Sequence, residues 1–258
     1  MNNTLIKVEN IVKTFGGLVA LNDCSLEIKD KAITGIIGPN GSGKTTLFNV
    51  ITGNLKPDTG KVFYNGVEIT NEESHDLFHL GVLRTFQIAH EFSNMTVIEN
   101  LMVVPGNQKG EKLLYSLMNS QKIKKEDELI KDKAMEVLKF LKIEHLKNER
   151  AGNLSGGQKK LLELARTMMV DAKIVFLDEV GAGVNKTLLR DISESILKLN
   201  QDKGYTFCMI EHDFNFISEL CDPVIVLAEG SVLFKGSAED VKSNEQVIES
   251  YLGKGLKK

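Results

Sequence analysis

The chain of 258 residues carries 32 lysines and arginines against 35 aspartates and glutamates, a formal net charge of −3, and 42% of its residues are hydrophobic. These values are typical of a globular protein with a buried core. The near-neutral charge argues against a general nucleic-acid binder, which would show a basic face. No stretch reaches the roughly 18 apolar residues that a membrane-spanning helix needs, and residues 1–7 lack the pattern of a signal peptide. We therefore predict a cytosolic protein that does not itself cross a membrane.

The chain has three cysteines, Cys24, Cys208 and Cys221, and no CxxC pair. Their odd number and wide spacing argue against a disulfide framework and against a structural zinc site. We predict buried thiols in a reducing compartment.

The N-terminal part of the chain has strand patterns on both sides of a glycine-rich turn. Residues 5–9 and 24–28 alternate between apolar and polar side chains, and the β-branched run 33–37 is typical of a buried strand. Residues 45–52 are predicted to form a helix after the turn. An Asn-Gly pair predicts a hairpin within residues 61–69.

The middle of the chain has a different composition. Residues 107–150 are rich in Lys, Glu, Leu and Met and lack proline, and their apolar residues recur at helical spacing. The run 122–133 mixes both signs of charge, which is typical of a solvated helix face. We predict a helical insertion here.

The rest of the chain returns to strands that alternate with helices. We predict a helix to about residue 170, apolar strands at 173–177 and 206–210, a hairpin within 223–234, and a helical tail after Ser237. Buried strands between helices predict a mainly parallel sheet that binds ligands at the carboxyl ends of its strands.

The glycine-rich turn after residues 33–37 has the G-x-x-x-x-G-K-[ST] pattern of a phosphate-binding loop. It consists of Gly38, Pro39, Asn40, Gly41, Ser42, Gly43, Lys44 and Thr45. Glycines let successive backbone amides point at phosphate oxygens, and the following helix adds its positive end. We predict that Lys44 reaches the β- and γ-phosphates of ATP and that the hydroxyl of Thr45 binds Mg²⁺.

An acidic pair follows the apolar strand at residues 173–177. Such a pair alone is most often the start of a helix, but with a phosphate-binding loop in the same chain it indicates catalysis. We predict that Asp178 holds Mg²⁺ through water and that Glu179 polarises the water that attacks the γ-phosphate.

A second candidate nucleotide surface precedes the predicted helix near residue 160. Ser155 is a favourable N-cap, Gly156 and Gly157 expose amides at the positive end of the helix dipole, and Gln158 completes the motif. Alone, this pattern is a helix cap. Its place between the phosphate-binding loop and the acidic pair indicates contact with a nucleotide.

Together these motifs resemble those of the ATP-binding subunits of ABC transporters, over about residues 4–253. The resemblance implies an α/β fold with a P-loop NTPase (RecA-like) core and a mainly parallel sheet. It also implies an N-terminal antiparallel β subdomain and an α-helical subdomain. Residues 1–258 would form a single nucleotide-binding domain, with the helical subdomain inserted at about residues 88–165.

Further roles are implied by the resemblance, residue by residue. Phe15 matches the aromatic residue that stacks on adenine, and Thr46 extends the phosphate-binding loop. Gln87 matches the residue that touches Mg²⁺ and the attacking water, and His212 matches the histidine that contacts the γ-phosphate. The sequence departs from the family where Val180 and Lys186 replace common prolines, which puts the precision of the contact between subunits in doubt.

The family also implies partners. The Leu154–Gln158 segment of one subunit closes over ATP held by another, so a second ABC ATPase subunit is expected, in a homo- or heterodimer. Transmembrane permease subunits and, indirectly, a substrate-binding protein are expected as well, and nucleic acid is not. The chain would lie peripherally on the cytoplasmic face of the cell membrane.

Finer features resemble those of the importers of branched-chain amino acids. They are the runs Lys13–Leu21, Leu83–Gln87 and Met95–Leu101, the Glu-His-Asp at 211–213 and the Tyr-Leu-Gly at 251–253. The predicted function is ATP hydrolysis that drives uptake of these amino acids or of a similar small polar solute. The alternatives are a urea or amide importer, a lipopolysaccharide-export cassette, an ATP-driven protein acting on nucleic acid, and a cassette that binds nucleotide without turnover.

Overall fold

The computed structural model describes residues 3–85, 91–106, 108 and 120–252. Contacts divide the chain into two compact units. Among the described residues, the first unit comprises 3–85, 173–182 and 196–252, and the second comprises 91–106, 108, 120–172 and 183–195.

The strands of the described residues all belong to the first unit. In chain order they are β1 (Thr4–Phe15), β2 (Leu18–Lys29), β3 (Ile33–Ile37), β4 (Thr59–Tyr64), β5 (Val67–Glu68), β6 (Val82–Arg84), β7 (Ile174–Asp178), β8 (Thr206–Ile210), β9 (Val224–Ala228) and β10 (Ser231–Gly236).

One sheet is antiparallel, in the order β2-β1-β4-β5. This confirms the predicted N-terminal antiparallel subdomain. The strands extend well beyond the predicted ranges 5–9 and 24–28. Asn10 takes a left-handed conformation with φ 50°, and the pairing of β1 with β2 shifts register there. Such a bulge interrupts the alternation of side chains, so a periodicity of two ends before the strand does.

The other sheet has the order β10-β9-β3-β8-β7-β6 and is mainly parallel, as predicted, with only β10 antiparallel to its neighbour. Every residue of β3, β7 and β8 is buried, as expected for strands covered on both faces. The rings of Phe48 and Phe176 pack edge to face in the core, with centroids 5.0 Å apart. The carboxyl ends of β3, β6, β7 and β8 lead directly into the candidate site.

The described helices fall in both units. The first unit contains Lys44–Ile51, Ser74–His79, Phe214–Leu220, Ala238–Ser243 and Glu245–Leu252, and the second contains Val97–Met102, Ser120–Phe140 and Gly156–Met168. The helix Lys186–Lys203 has residues in both units. No helix within the described ranges is long and apolar enough to span a bilayer.

The predicted helical insertion is partly confirmed. A helix runs over Ser120–Phe140, and it buries Ala134 and Leu138 as the apolar spacing predicts. It ends earlier than residue 150, because the chain turns at Lys142 with φ 59° and continues in short 3-10 turns. Of the remaining insertion, residues 107 and 109–119 lie outside the described residues.

The three cysteines are buried and free, as predicted. Burial raises the pKa of Cys24 and of Cys221 to about 12. Thiols with such pKa values are poor nucleophiles at neutral pH, which supports a packing role.

Candidate nucleotide-binding site

The phosphate-binding loop joins β3 to the helix Lys44–Ile51. Its glycines Gly38, Gly41 and Gly43 have φ values of 154°, 81° and 99°. A Cβ atom at Gly38 would lie 2.2 Å from the carbonyl oxygen of Leu227. The backbone conformation therefore favours glycine at all three positions, and at Gly38 the available space requires it as well. Such a loop keeps its backbone amides accessible to an anion.

Lys44 forms hydrogen bonds within the phosphate-binding loop. Its ammonium donates hydrogen bonds to the carbonyl oxygens of Gly38 (2.8 Å) and Pro39 (3.0 Å). Burial lowers the pKa of Lys44, and the nearby carboxylates of Glu179 and Asp178 oppose that shift. The cation is thus held beside the acidic pair.

Two further features of the loop suit a phosphate ligand. The Oγ of Ser42 is buried and has no hydrogen-bond partner among the described residues. Thr45 is exposed at the first turn of the helix, and Thr46 and Asn40 also retain exposed surface. Buried hydroxyls are normally hydrogen-bonded, so an unpartnered one in this loop fits a bound anion.

Asp178, the last residue of β7, forms a buried ion pair with Arg84, the last residue of β6. The distance from Arg84 Nη2 to Asp178 Oδ2 is 2.7 Å, and the two side chains are 8% and 3% exposed. Arg84 also donates a hydrogen bond to Asn49 Oδ1 and lies over the ring of Phe48, 5.8 Å from its centroid. Arg84 therefore connects the acidic pair to the helix that follows the phosphate-binding loop.

Glu179 and His212 form a pair at the ends of β7 and β8. The distance from His212 Nε2 to Glu179 Oε1 is 2.8 Å, with side chains 51% and 18% exposed. Glu179 has φ 51°, a left-handed conformation that is rare outside glycine, and its amide donates to the carbonyl of Ile210 at 2.9 Å. Backbone strain of this kind concentrates at functional sites.

Glu211 is a buried acid that sequence reasoning left without a role. It is 4% exposed and accepts a hydrogen bond from the amide of Gly181 at 2.8 Å. Burial, against the opposing hydrogen bond from the Gly181 amide and with a smaller contribution from the charge of Glu179, raises the pKa of Glu211 to about 7. Glu211 thus orders the start of the loop that follows Glu179.

We expect Glu211→Gln to remove a pH dependence of stability. Because the pKa of Glu211 is raised in the folded state, its contribution is full below the ordinary glutamate pKa and is lost as the pH rises through about 7. Glutamine keeps the acceptor for Gly181 but never ionises. Between pH 5 and pH 8 the native chain should lose about 2 kcal/mol of unfolding free energy that the variant retains.

Urea unfolding at pH 5, 6, 7 and 8 measures this difference. Glu72→Gln, at an exposed glutamate, is the matched control and should follow the native pH profile. An unchanged profile in Glu211→Gln would show that Glu211 does not titrate in this range.

The candidate second nucleotide surface lies in the second unit. Ser155 caps the helix Gly156–Met168 as predicted: its Oγ accepts from the Gln158 amide at 3.4 Å, and Gln158 Oε1 accepts from the Ser155 amide at 2.9 Å. A Cβ atom at Gly156 would meet open space, whereas one at Gly157 would lie 2.2 Å from Leu188 Cδ2. Packing against Leu188 therefore requires glycine at position 157, which the sequence pattern did not reveal.

The structure brings part of the predicted set together. Lys44, Asp178, Glu179 and His212 lie in the first unit and interact directly or through their charges. Phe15 ends β1 with 49% of its surface exposed. Gln87 lies outside the described residues.

Arg84 and Glu211 are the residues that sequence reasoning missed. Arg84 stands in the Leu83–Gln87 run, but nothing local in the sequence pairs β6 with β7. The sequence signal that could have revealed Glu211 is an acidic residue placed between a mostly apolar strand and a histidine.

Comparisons with known proteins identify the family of this chain. The ABC transporter family model matches residues 21–182. A probable branched-chain amino acid transport ATP-binding protein LivG of Archaeoglobus fulgidus is 43% identical over 96% of this chain and 95% of its own length. A high-affinity branched-chain amino acid transport ATP-binding protein BraF of Pseudomonas aeruginosa is 34% identical over 98% of this chain and 99% of its own.

A solved structure gives the same result for the fold. The crystal structure of a nucleotide-free ATP-binding cassette from an ABC transporter is 41% identical and superposes with a TM-score of 0.84, over 97% of this chain and 99% of that one. Both the family match and the near full-length identity cover the phosphate-binding loop and the acidic pair. The chain belongs to the ABC transporter family and is one of its ATP-binding cassettes.

Proposed function

We propose that this chain hydrolyses ATP to energise an importer of branched-chain amino acids or of a similar small polar solute. The observation that carries the ATPase part is the grouping of Lys44, Asp178 and the Glu179–His212 pair beside a loop suited to phosphate. The transport part is supported by relatives at 43% and 34% identity, whose names specify branched-chain amino acid transport.

The residues present fit ATP together with Mg²⁺. Gly38 to Thr46 would bind the phosphates, and Phe15 would stack on adenine. No group of three or more His, Cys, Asp or Glu within the described ranges would hold a metal alone. That suits Mg²⁺, which commonly takes one or two protein oxygens and completes its shell with water and substrate phosphates. Asp178, Thr45 and Gln87 would contribute on the protein side.

The chemistry follows from the charges of these side chains. Bound Mg²⁺ would neutralise charge on the β- and γ-phosphates. Lys44 and the loop amides would stabilise the charge that develops during transfer. Glu179 would orient the attacking water and accept its proton, and His212 would hold the γ-phosphate. The hydrogen bond between His212 and Glu179 keeps both side chains at the carboxyl ends of adjacent strands.

We also propose that the working unit contains two cassettes and a membrane permease. Ser155, Gly156, Gly157 and Gln158 would close over the nucleotide of a second subunit, identical or different. The helical subdomain at about residues 88–165 would belong to a single nucleotide-binding domain. The assembly would place this chain on the cytoplasmic face of the membrane, where a substrate-binding protein acts on it only through the permease.

Transport by the reconstituted complex tests this function. The chain is purified as a complex with its permease subunits and placed in proteoliposomes that contain MgATP. ATP-dependent movement of radiolabelled leucine is then measured in the presence of the substrate-binding protein of the same transporter. Leucine uptake is expected. Movement of urea or short-chain amides, or extraction of lipopolysaccharide, would contradict the amino-acid assignment and support an alternative.

Lys44→Ala should reduce this ATP-dependent uptake to background. The variant loses the ammonium that holds the loop and faces the phosphates. Lys61→Ala is a matched control, because Lys61 is an exposed lysine paired with Glu68 at 2.8 Å in the antiparallel sheet. Normal uptake in Lys44→Ala would mean that this loop does not power transport.

A further inference from the structure

We propose that Asp58 is a positioning residue for nucleotide binding, which acts through Lys13 and Thr14 to hold the ring of Phe15 in place. This inference rests on the proposed contact between Phe15 and adenine. Lys13, Thr14 and Asp58 are together called the Asp58 clamp below.

The clamp joins the end of β1 to the start of β4. Asp58 Oδ2 accepts hydrogen bonds from the amide and the hydroxyl of Thr14, both at 2.7 Å. Asp58 Oδ1 accepts from Lys13 Nζ at 2.7 Å, and the Asp58 amide donates to the carbonyl of Val12 at 2.9 Å. These bonds to the ionised carboxylate hold the pKa of Asp58 at about 2. One side chain therefore fastens the two residues that precede Phe15.

Lys13 links the clamp to the aromatic ring. Its Nζ lies 5.7 Å from the centroid of the Phe15 ring, within the range of a cation–π contact. The Lys13 side chain is only 15% exposed, so Asp58 holds this cation against the ring rather than in open solvent. Phe15 itself keeps 49% of its surface exposed.

Little else surrounds Phe15 on its C-terminal side. The turn that follows consists of Gly16 and Gly17, and a Cβ atom at either position would meet nothing within 4 Å. Leu18, which pairs with Phe15 across the turn, is 68% exposed. On the side of this turn the ring has little support, and the cation of Lys13 is the contact through which the clamp can set its orientation. A ring that stacks on a base gains most when its orientation is set in advance.

The clamp contacts no residue of the phosphate-binding loop through the bonds described above, so its effect should depend on the adenine base. Asp58→Ala should raise the dissociation constant of MgATP about three- to tenfold, a typical loss for partly exposed charged contacts around a stacking ring. Binding of inorganic tripolyphosphate should stay within about twofold of the native value. In the ATPase reaction, KM should rise while kcat is unchanged.

Calorimetric titration of the full chain with MgATP and with magnesium tripolyphosphate provides the test. Glu68→Ala is the matched control, because it removes another exposed carboxylate that pairs with a lysine in the same sheet. Asp58→Asn serves as a second variant, since it keeps an acceptor for Thr14 but loses the charge that holds Lys13. The dissociation constant of MgATP for Asp58→Asn should lie between the values for the native chain and for Asp58→Ala.

Phe15→Ala separates this inference from the proposed function. If Phe15→Ala leaves MgATP affinity unchanged, the adenine contact itself is wrong. If Phe15→Ala weakens MgATP but Asp58→Ala and Asp58→Asn do not, the clamp has no positioning role. The double variant Phe15→Ala with Asp58→Ala should bind MgATP no more weakly than Phe15→Ala alone. Additive losses, or an equal loss for tripolyphosphate, would overturn the inference.

Discussion

Glu179→Gln is expected to lower the rate of ATP hydrolysis by about 10²- to 10⁴-fold, the usual contribution of a general base, while ATP still binds. Glutamine has nearly the same size and can keep a hydrogen bond to His212, but it cannot accept a proton from water. The backbone at position 179, with φ 51° and its amide bonded to Ile210, is unaffected by the change in side chain. The loss should therefore appear in kcat and not in MgATP affinity.

Single-turnover hydrolysis and nucleotide binding by the same preparation measure these two quantities. Size-exclusion chromatography with MgATP should in addition show a dimer that persists in the variant, because ATP bound between two cassettes, as proposed above, would no longer be consumed. Glu239→Gln, at an exposed glutamate, is the control. Hydrolysis at the native rate would show that Glu179 is not the base, and a loss of MgATP affinity would indicate a structural role instead.

Arg84→Ala is expected to lower the free energy of unfolding by about 3–5 kcal/mol, the cost of leaving one member of a buried ion pair without its partner. Arg84 supplies the cation for Asp178, which is 3% exposed on its side chain. The same substitution removes the hydrogen bond to Asn49 and the contact with the ring of Phe48. A buried carboxylate would then remain at the carboxyl end of β7 without its ion-pair partner.

Urea unfolding followed by far-UV circular dichroism measures this loss. Arg190→Ala is the matched control, because Arg190 is 80% exposed and pairs with Glu194 one helical turn away at 3.4 Å. Such a surface pair contributes about 0.3–0.5 kcal/mol. The double variant Arg84→Met with Asp178→Asn, which removes both charges, should recover part of the lost stability. A loss in Arg84→Ala no greater than in Arg190→Ala would refute this account of the pair.

The features that the sequence predicted well depend on neighbours close along the chain. The glycine-rich loop, the N-cap at Ser155 and the Asn-Gly hairpin each arise within about eight residues, where turn geometry and side-chain type decide the conformation. The buried strands β3, β7 and β8 were predicted equally well. A short β-branched or apolar run between turn residues is typical of a strand that is covered on both faces.

Features that join distant segments were beyond the reach of periodicity. The strand β1 was predicted too short because the bulge at Asn10 interrupts its alternation. The close approach of Leu188 to Gly157 follows from helix packing. Side-chain patterns report which face of an element is buried, but they do not report which element covers it.

The candidate chemical groups can therefore be read from the sequence alone: a glycine-rich loop, an acidic pair, a helix-capping motif and a histidine stand in the order that is typical of the family. The residues that support these groups became visible only in the folded chain. Arg84 meets Asp178 across 94 residues of sequence, and Glu211 meets Gly181 across 30. Such partners are selected by strand order and by the need to pair every buried charge, and both are properties of the folded chain.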